Sequence, residues 1–192
     1  MDKVQRLPLF PLTAHVMPNG KLKLRIFEQR YTRLVKQCMA NQSEFVVCMF
    51  DPGIDKYDSE YILPFGTAVT IIDFEMLNDG FLGITVQGER RVQIKHHEFE
   101  EDGLRVGDVE VLPFWQHTPI TDEVAVLKER LEEIYGVYPE LGDLYDEKPF
   151  EQLDWVCQRW LEILPLDVHT KQELIKSQSS EQVADYLLNL VT

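Results

Sequence analysis

The segment over residues 21–40 changes its hydrophobic period part-way along. Up to Phe27, polar and apolar residues alternate with the period of a half-buried strand, which puts Leu22, Leu24 and Ile26 on one face and Lys21, Lys23 and Arg25 on the other. From there the apolar residues recur at helical spacing: Phe27, Tyr31, Leu34, Val35, Cys38 and Met39. The pattern predicts a strand and then a helix over residues 28–40 that packs its apolar stripe on a sheet, with Glu28 in the first turn.

The rest of residues 1–117 has the pattern of short strands. Five segments rich in β-branched and aromatic residues are separated by turn residues: EFVVCMF, FGTAVTIIDFEML, FLGITVQG, RRVQIKHHEF and LRVGDVEVLPF. Residues 78–80 (Asn-Asp-Gly) and 101–103 (Glu-Asp-Gly) are typical of tight reversals. Sequential hairpins with one apolar face predict a small antiparallel β-barrel or partial barrel, because closure removes exposed edges.

Residues 118–192 have helical periodicity instead. The helix starts and stops recur along this part: a cap at Thr121 and an end at Gly136, a start at Pro149 and an end before Pro165, a cap at Asp167, and a capping box of Ser179 with Gln182. The pattern predicts an α+β protein in which the strand-rich part, residues 1–117, is followed by a bundle of about four helices, residues 118–192.

Charge divides at the same place. Residues 1–117 carry 13 Lys and Arg against 17 Asp and Glu, and residues 118–192 carry 6 against 16, so the parts contribute −4 and −10 to a net charge of −14. A field of that sign argues against general binding to nucleic acid or to anionic membranes. The exception is residues 21–36, which hold six basic residues and one acid. They have two interpretations, a solvated strand and helix face or a contact patch for a partner.

The chain has no pattern of a signal peptide and no apolar run of membrane-spanning length, so we expect a cytoplasmic protein. The cysteines Cys38, Cys48 and Cys157 are odd in number, far apart and set in apolar periodic segments. We expect them to be buried reduced thiols.

A search for catalytic chemistry finds no constellation of residues that would support it. Residues 83–88, GITVQG, have the glycine spacing of a phosphate-binding loop, but Glu89 stands where a lysine would meet the phosphates. His96, Glu98 and Glu100 share a strand face, for which a solvated charged strand is a simpler interpretation than a metal site. No serine has the glycine neighbours of a nucleophile elbow. We expect no catalytic residue, no metal site and no cofactor.

Three segments taken together are distinctive: LPLFPLTAHVMPNGKLKLRIFEQRYTRLV, FGTAVTIIDFEMLNDGFLGITVQGERRVQI and WLEILPLDVHTKQELI. They resemble the N-terminal, substrate-recognition domain of the Lon ATP-dependent protease family, and especially the free-standing bacterial versions of that domain. The similarity extends over nearly the whole chain.

This resemblance implies a PUA-like β-barrel followed by a helical bundle, in agreement with the two patterns above. It also implies binding of unfolded or damaged polypeptide ahead of degradation. A complete Lon protease continues into an ATPase module and a protease module with a serine-lysine dyad, whereas this sequence ends at Thr192 with neither the P-loop nor the dyad. We therefore expect no hydrolysis of ATP or of peptide bonds.

The leading hypothesis is a non-enzymatic polypeptide-binding module that acts as an adaptor, a weak holdase or a partner of a protease. We expect a monomer or weak homo-oligomer that binds unfolded or flexible polypeptide and no membrane. The resemblance and the basic segment suggest two regions of partner contact: the start of the first helix with the strand before it (Glu28, Gln29, Arg30, Lys23 and Arg25), and the hairpin residues Met76, Leu77 and Phe81. The pattern favours the three hairpin residues as core at the barrel rim over a binding role.

Two other classes of function stay open. An RNA-binding module is the main alternative, because PUA-like barrels include RNA binders, although the net charge argues against it. An enzyme acting on a small molecule, with a pocket between barrel and bundle, is the third class. A deep cleft lined by titratable residues with shifted pKa values would indicate it.

Overall fold

The computed structural model describes residues 3–192. They divide into two compact units, residues 3–112 and Pro113–Thr192. The first unit contains six strands and one helix: β1 (Gln5–Leu12), β2 (Lys21–Ile26), α1 (Gln29–Asn41), β3 (Phe45–Met49), β4 (Phe65–Met76), β5 (Leu82–Phe99) and β6 (Arg105–Val111). The second contains five helices: α2 (Ala125–Val137), α3 (Pro139–Gly142), α4 (Leu153–Ile163), α5 (Val168–Ile175) and α6 (Ser180–Val191).

The six strands form one mixed sheet in the order β2-β5-β4-β3-β1-β6, and a further pairing of β6 with β5 closes a ring. The 18-residue β5 makes this possible, because its first half pairs with β2 and its second half with β6. The prediction of a purely antiparallel sheet is wrong, since β1 and β3 pair in parallel. Parallel neighbours need a long crossover connection, and here β2 and α1 provide it.

Strand β3 is buried on both faces and separates two apolar clusters. Phe45 and Val47 contact the larger cluster, to which α1 contributes Leu34, Val35 and Cys38. Val46 and Cys48 face the smaller one. The predicted helix over residues 28–40 is confirmed and packs its stripe here.

The predicted bounds of that stripe need two corrections. Glu28 occupies the N-cap position rather than the first turn, and its side chain makes no cap hydrogen bond. Phe27 and Met39 are exposed and are not part of the buried stripe. The helix covers only what lies beneath its middle turns, so apolar residues at both ends remain in contact with water.

The second unit begins at Pro113, a few residues before the predicted boundary. Trp115 explains the earlier start, because its buried indole Nε1 donates a hydrogen bond to the Ser177 carbonyl at 2.7 Å. The unit contains five helices where about four were predicted, and the additional one is the single turn α3.

The predicted helix caps of this unit have mixed outcomes. Asp167 caps α5 as predicted, by accepting the backbone N–H groups of His169 and Thr170. Thr121 and Pro149 lie in turns ahead of α2 and α4. The predicted capping box fails because the Ser179 side chain makes no cap hydrogen bond, although Ser179 is the N-cap of α6.

All three cysteines are buried and unpaired with one another, as predicted. Burial raises the pKa of the Cys48 thiol to about 12, and it raises the pKa of Cys38 and of Cys157 as well. Within residues 3–192, no helix combines the length and the hydropathy that crossing a bilayer requires.

Candidate functional site

The end of the β4–β5 hairpin, together with β2, extends beyond the rest of the sheet. Strand β3 pairs with β4 only as far as Val69, whereas β4 continues to Met76. Large apolar side chains of this extension are exposed on both of its faces, Phe74 and Met76 on one and Phe81 on the other. We call residues 70–82 with Arg25 and Phe27 the hairpin end.

One face of the hairpin end combines an arginine with two aromatic rings. The Arg25 guanidinium lies 4.6 Å from the ring centroid of Phe81 and 5.8 Å from that of Phe27. The rings meet edge to face at 6.3 Å, and Arg25 also forms an ion pair with Asp79 at 2.8 Å. The cation and the aromatic rings thus hold the tight turn, which contains Gly80 at a φ of 85°, against β2.

The opposite face of the hairpin end carries Phe74, which is 59% exposed, and Met76, which is 70% exposed. Strand register places them in line with the buried residues Ile84 and Ile26, through the pairs Phe74↔Ile84 and Met76↔Leu82↔Ile26. The apolar face of the sheet therefore continues outward past the point where the core ends.

Three hairpin residues were favoured as core from their pattern. That interpretation is wrong for Met76 and for Phe81, which is 39% exposed, while Leu77 is half-buried and contacts Gly83. The alternation of a strand indicates which residues share a face. It does not indicate whether a second layer covers that face.

Beyond Val69, β4 also has an open edge. Among the described residues, positions 70–76 pair with β5 on one side and with no strand on the other. A groove of about 350 Å³ runs between this edge and the last turns of α1, and it is lined by Cys38, Met39, Gln42, Ser43 and residues 70–74. The Phe74 N–H donates a hydrogen bond to the carboxylate of Asp73 at 2.8 Å, so a side chain already occupies one backbone donor here.

The arginines of the basic segment contact turns of the same chain. Arg30 donates from Nε to Glu28 at 2.9 Å and from Nη1 to the Gly103 carbonyl at 3.0 Å. Arg33 donates to both carboxylate oxygens of Asp102, at 2.7 and 2.8 Å. Arg25 of β2 pairs in the same way with Asp79 in the β4–β5 turn. These contacts therefore join β2 and α1 to both predicted reversals.

The remaining members of the basic segment and of the predicted contact residues are more accessible. Lys23 and Lys36 are exposed and form no ion pair within residues 3–192. Gln29 is exposed at the start of α1. The first region of predicted contact thus contains both accessible side chains and arginines that are engaged within the chain.

A second concavity lies beside the start of α1, and the pattern of the sequence did not reveal it. It measures about 500 Å³ and is lined by aromatic and charged side chains: Tyr31, Phe50, Tyr57, Tyr61, Phe99, Glu28, Arg30, Lys56, Glu100, Glu101 and Arg105, with Pro11 and Gly103. We call it the aromatic pocket. Its walls come from four separate segments of chain, so no local motif signals it, whereas Glu28 and Arg30 at its rim were predicted contact residues.

Metal chemistry has no support in the described part of the chain. No three His, Cys, Asp or Glu side chains within residues 3–192 are placed to hold one ion. The glycine-spaced segment 83–88 lies inside β5, so it has the strand conformation that its pattern predicts.

Comparison with known proteins identifies the domain. The family model of the ATP-dependent protease La (LON) substrate-binding domain matches residues 6–192. The chain belongs to this family. Lon protease 2 of Desulfotalea psychrophila is 24% identical over 196 residues, which cover 96% of this chain and 24% of that protein. The chain thus spans only a small part of the length of this relative.

Solved structures show the same fold. The Lon N-terminal domain protein from Xanthomonas campestris superposes with a TM-score of 0.78 at 29% identity, covering 98% of this chain and 99% of that one. The N-terminal domain of the Mycobacterium avium complex Lon protease has a TM-score of 0.63 at 15% identity, over 96% and 97% of the two chains. The mixed sheet with its six helices is therefore the Lon N-terminal fold, and membership of the family supports a role in substrate recognition.

Proposed function

We propose that this Lon substrate-binding domain holds unfolded or flexible polypeptide and catalyses no reaction on it. The observation that carries the proposal is the hairpin end, where exposed apolar side chains stand next to an open strand edge and a groove. An extended chain can add to such an edge through its backbone, while alternate side chains contact the apolar face. Phe74 and Met76 supply apolar contacts that do not depend on the sequence of the client.

The contact residues in this proposal are of two kinds. The hairpin end provides Met76, Leu77, Phe81 and Arg25, with Lys23 beside them on β2. The start of α1 provides Glu28, Gln29 and Arg30 as a separate region. Affinity should be modest, because ordering a flexible chain offsets much of the interaction free energy.

The wider biological setting is part of the same proposal. We place the domain in the cytoplasm as a monomer or weak homo-oligomer, without a cofactor, acting as an adaptor or as a partner of a protease. The strand-rich part and the helical part act as two subdomains in this proposal, and the ring of strands is assigned to the PUA-like class. RNA binding remains the alternative function.

The test is a titration of a permanently unfolded model protein of near-neutral charge, followed by fluorescence anisotropy at low and at physiological salt. We expect the double variant Phe74→Ser/Met76→Ser to weaken binding by about tenfold, since two accessible apolar contacts are lost. Both side chains are exposed, so the thermal midpoint should not change. A Glu28→Ala/Gln29→Ala/Arg30→Ala variant tests the start of α1 separately.

The matched control is Phe114→Ser/Val137→Ser, which removes two exposed apolar side chains of the second unit. Its affinity for the unfolded protein should equal that of the unaltered chain. Absence of binding at high micromolar concentration, or equal weakening by both double variants, would contradict the proposal.

A further inference from the structure

Arg105 is the most unusual residue of the aromatic pocket. It is only 8% exposed although it lines the pocket. Its Nη2 donates a hydrogen bond to the Lys56 carbonyl at 2.6 Å, while its buried Nε has no hydrogen-bond partner. Within residues 3–192 no carboxylate forms an ion pair with it. A buried cation is normally paired, because an uncompensated charge is costly away from water.

Aromatic rings surround this guanidinium. Its central carbon lies 4.5 Å from the ring centroid of Phe99 and 5.1 Å from that of Tyr61. The rings stabilise the cation through their π faces but offer no acceptor to Nε. The site therefore has a charged donor held beside aromatic rings, a combination that suits a ligand with an anion next to an apolar group.

The charge of Arg105 affects its buried neighbours. It opposes the rise that burial causes in the pKa of Cys48. It also adds to the effect of burial in lowering the pKa of His97.

The rim of the pocket limits how much negative charge can enter. Glu28 is paired with Arg30 and Glu100 with Arg33, while Glu101 forms no ion pair within the described residues. Lys56, whose Nζ lies 5.0 Å from the Tyr57 ring centroid, adds a positive charge at the rim. Among residues 3–192, the unpaired charges of the pocket are therefore those of Arg105 and Lys56 against that of Glu101. They would balance one negative charge on a ligand, whereas a doubly charged phosphate would be repelled by the acidic side chains.

We propose that the aromatic pocket binds the C-terminal residue of a polypeptide, with the terminal carboxylate on Arg105 and an aromatic or large apolar side chain against Tyr57 and Phe99. A terminal residue delivers the anion and the apolar group from the same Cα atom. An internal aspartate or glutamate brings the carboxylate without the apolar group. This inference rests on the proposed function and names the part of a client chain that this second site recognises.

The experiment uses two short fluorescein-labelled peptides of identical sequence that end in Phe. The first has a free C-terminal carboxylate, and the second has a C-terminal amide. We expect the peptide with the free carboxylate to bind the protein about tenfold more tightly than the amidated peptide, because one charge-assisted hydrogen bond contributes about that factor in affinity. A third peptide, amidated and with Asp in place of the last Phe, should bind no better than the amide. Since these changes are made in the ligand, they do not perturb the fold.

Protein variants then locate the site. Arg105→Met should make the acid and amide peptides equal, and Tyr57→Ala, at an exposed rim position, should weaken the acid peptide without changing the thermal midpoint. Arg130→Met removes one exposed positive charge from the second unit and should leave the preference for the acid unchanged.

Equal binding of the acid and amide peptides by the unaltered chain, or no binding of either, would overturn the inference. Tighter binding of the amidated peptide that ends in Asp than of the amidated Phe peptide would overturn it too, by assigning the pocket to acidic side chains. If the unfolded protein still binds and the hairpin-end variant still weakens it, the proposed function stands while the terminal site fails. Loss of both signals means that both proposals fail.

Discussion

Gly88 shows how the absence of one side-chain atom fixes the path of the chain. A Cβ at this position would lie 2.2 Å from the carbonyl oxygen of Met17, and hydrogen bonds of 2.8 Å join Gly88 to Asn19 and to Gly20. The loop between β1 and β2 can cross β5 closely only because the residue there is glycine.

We therefore expect Gly88→Ala to lower the free energy of unfolding by about 2 kcal/mol or more, as overpacking against backbone does. Urea denaturation followed by circular dichroism measures the change. Gly136→Ala is the control, because a Cβ there meets no atom within 4 Å and alanine favours the helix. An unchanged midpoint for Gly88→Ala would contradict the close contact seen in the structure.

Individual residues were predictable where the signal was local. The burial of Cys48 follows from the continuous apolar run FVVCMF, and the cap at Asp167 follows from the residues next to it. Phe99 faces Arg105 directly across the β5–β6 hairpin, but Tyr61 reaches it from a distant part of the chain, so the surroundings of Arg105 could not be predicted from local pattern. Inside an alternating strand segment, an inward arginine cannot be told from an outward one.

At the level of elements, α1 and the β5–β6 turn are joined by charged contacts. Arg33 donates to Asp102 and to Glu100. The hydrogen bonds from Arg33 to Asp102, and after them the one from the Leu104 backbone N–H, lower the pKa of Asp102 to about 2. The turn also contains Gly103 at a φ of 84°, so the chain reverses next to the helix that holds it.

The lowered pKa of Asp102 predicts a pH dependence. A carboxyl group whose pKa is lower in the folded state stabilises that state above its unfolded value of 3.8, and the contribution is lost as the pH falls toward 2. We expect Asp102→Asn to lower the urea midpoint slightly at neutral pH, since the pair is exposed.

The difference between Asp102→Asn and the unaltered chain should shrink when the denaturation is repeated at decreasing pH below about 4. A difference that does not depend on pH would show that the carboxylate charge is not the cause.

The order of elements could be predicted more reliably than their pairing. Strands β2, β3, β4 and β6 and the helix after β2 follow from hydrophobic period, and both tight reversals occur where the turn residues predict them. Strand β1 was not predicted as a strand, and two predicted strands, FLGITVQG and RRVQIKHHEF, are one continuous strand, β5. The parallel pairing of β1 with β3 could not be predicted in this way, because it depends on residues far apart in sequence. Helix starts at Thr121 and Pro149 were placed too early, since a cap residue or proline suits a turn equally well.

For the molecule as a whole, net charge favours a polypeptide partner over RNA. The chain carries −14, and Arg25, Arg30 and Arg33 already contact acceptors of the first unit. We expect no saturable binding of a labelled single-stranded RNA at physiological salt, measured by fluorescence anisotropy.

Salt-sensitive RNA binding that is lost on charge reversal of Lys23, Arg25 and Arg30 would contradict this expectation and would favour the alternative function. Binding that survives the reversal would contradict it as well, and would assign the RNA to another surface. The thermal midpoint of the reversed variant is the control for folding.

The Asp73 carboxylate that accepts the Phe74 N–H lies on the only stretch of β4 beyond its pairing with β3. A second copy approaching edge to edge would bring its own Asp73 near this one, so like charges and occupied donors would oppose fibril-like stacking. A client polypeptide without an acidic residue at the corresponding position would not be repelled by Asp73. We therefore expect Asp73 to disfavour edge-to-edge pairing of two copies of the chain while leaving this exposed apolar surface open to other polypeptides.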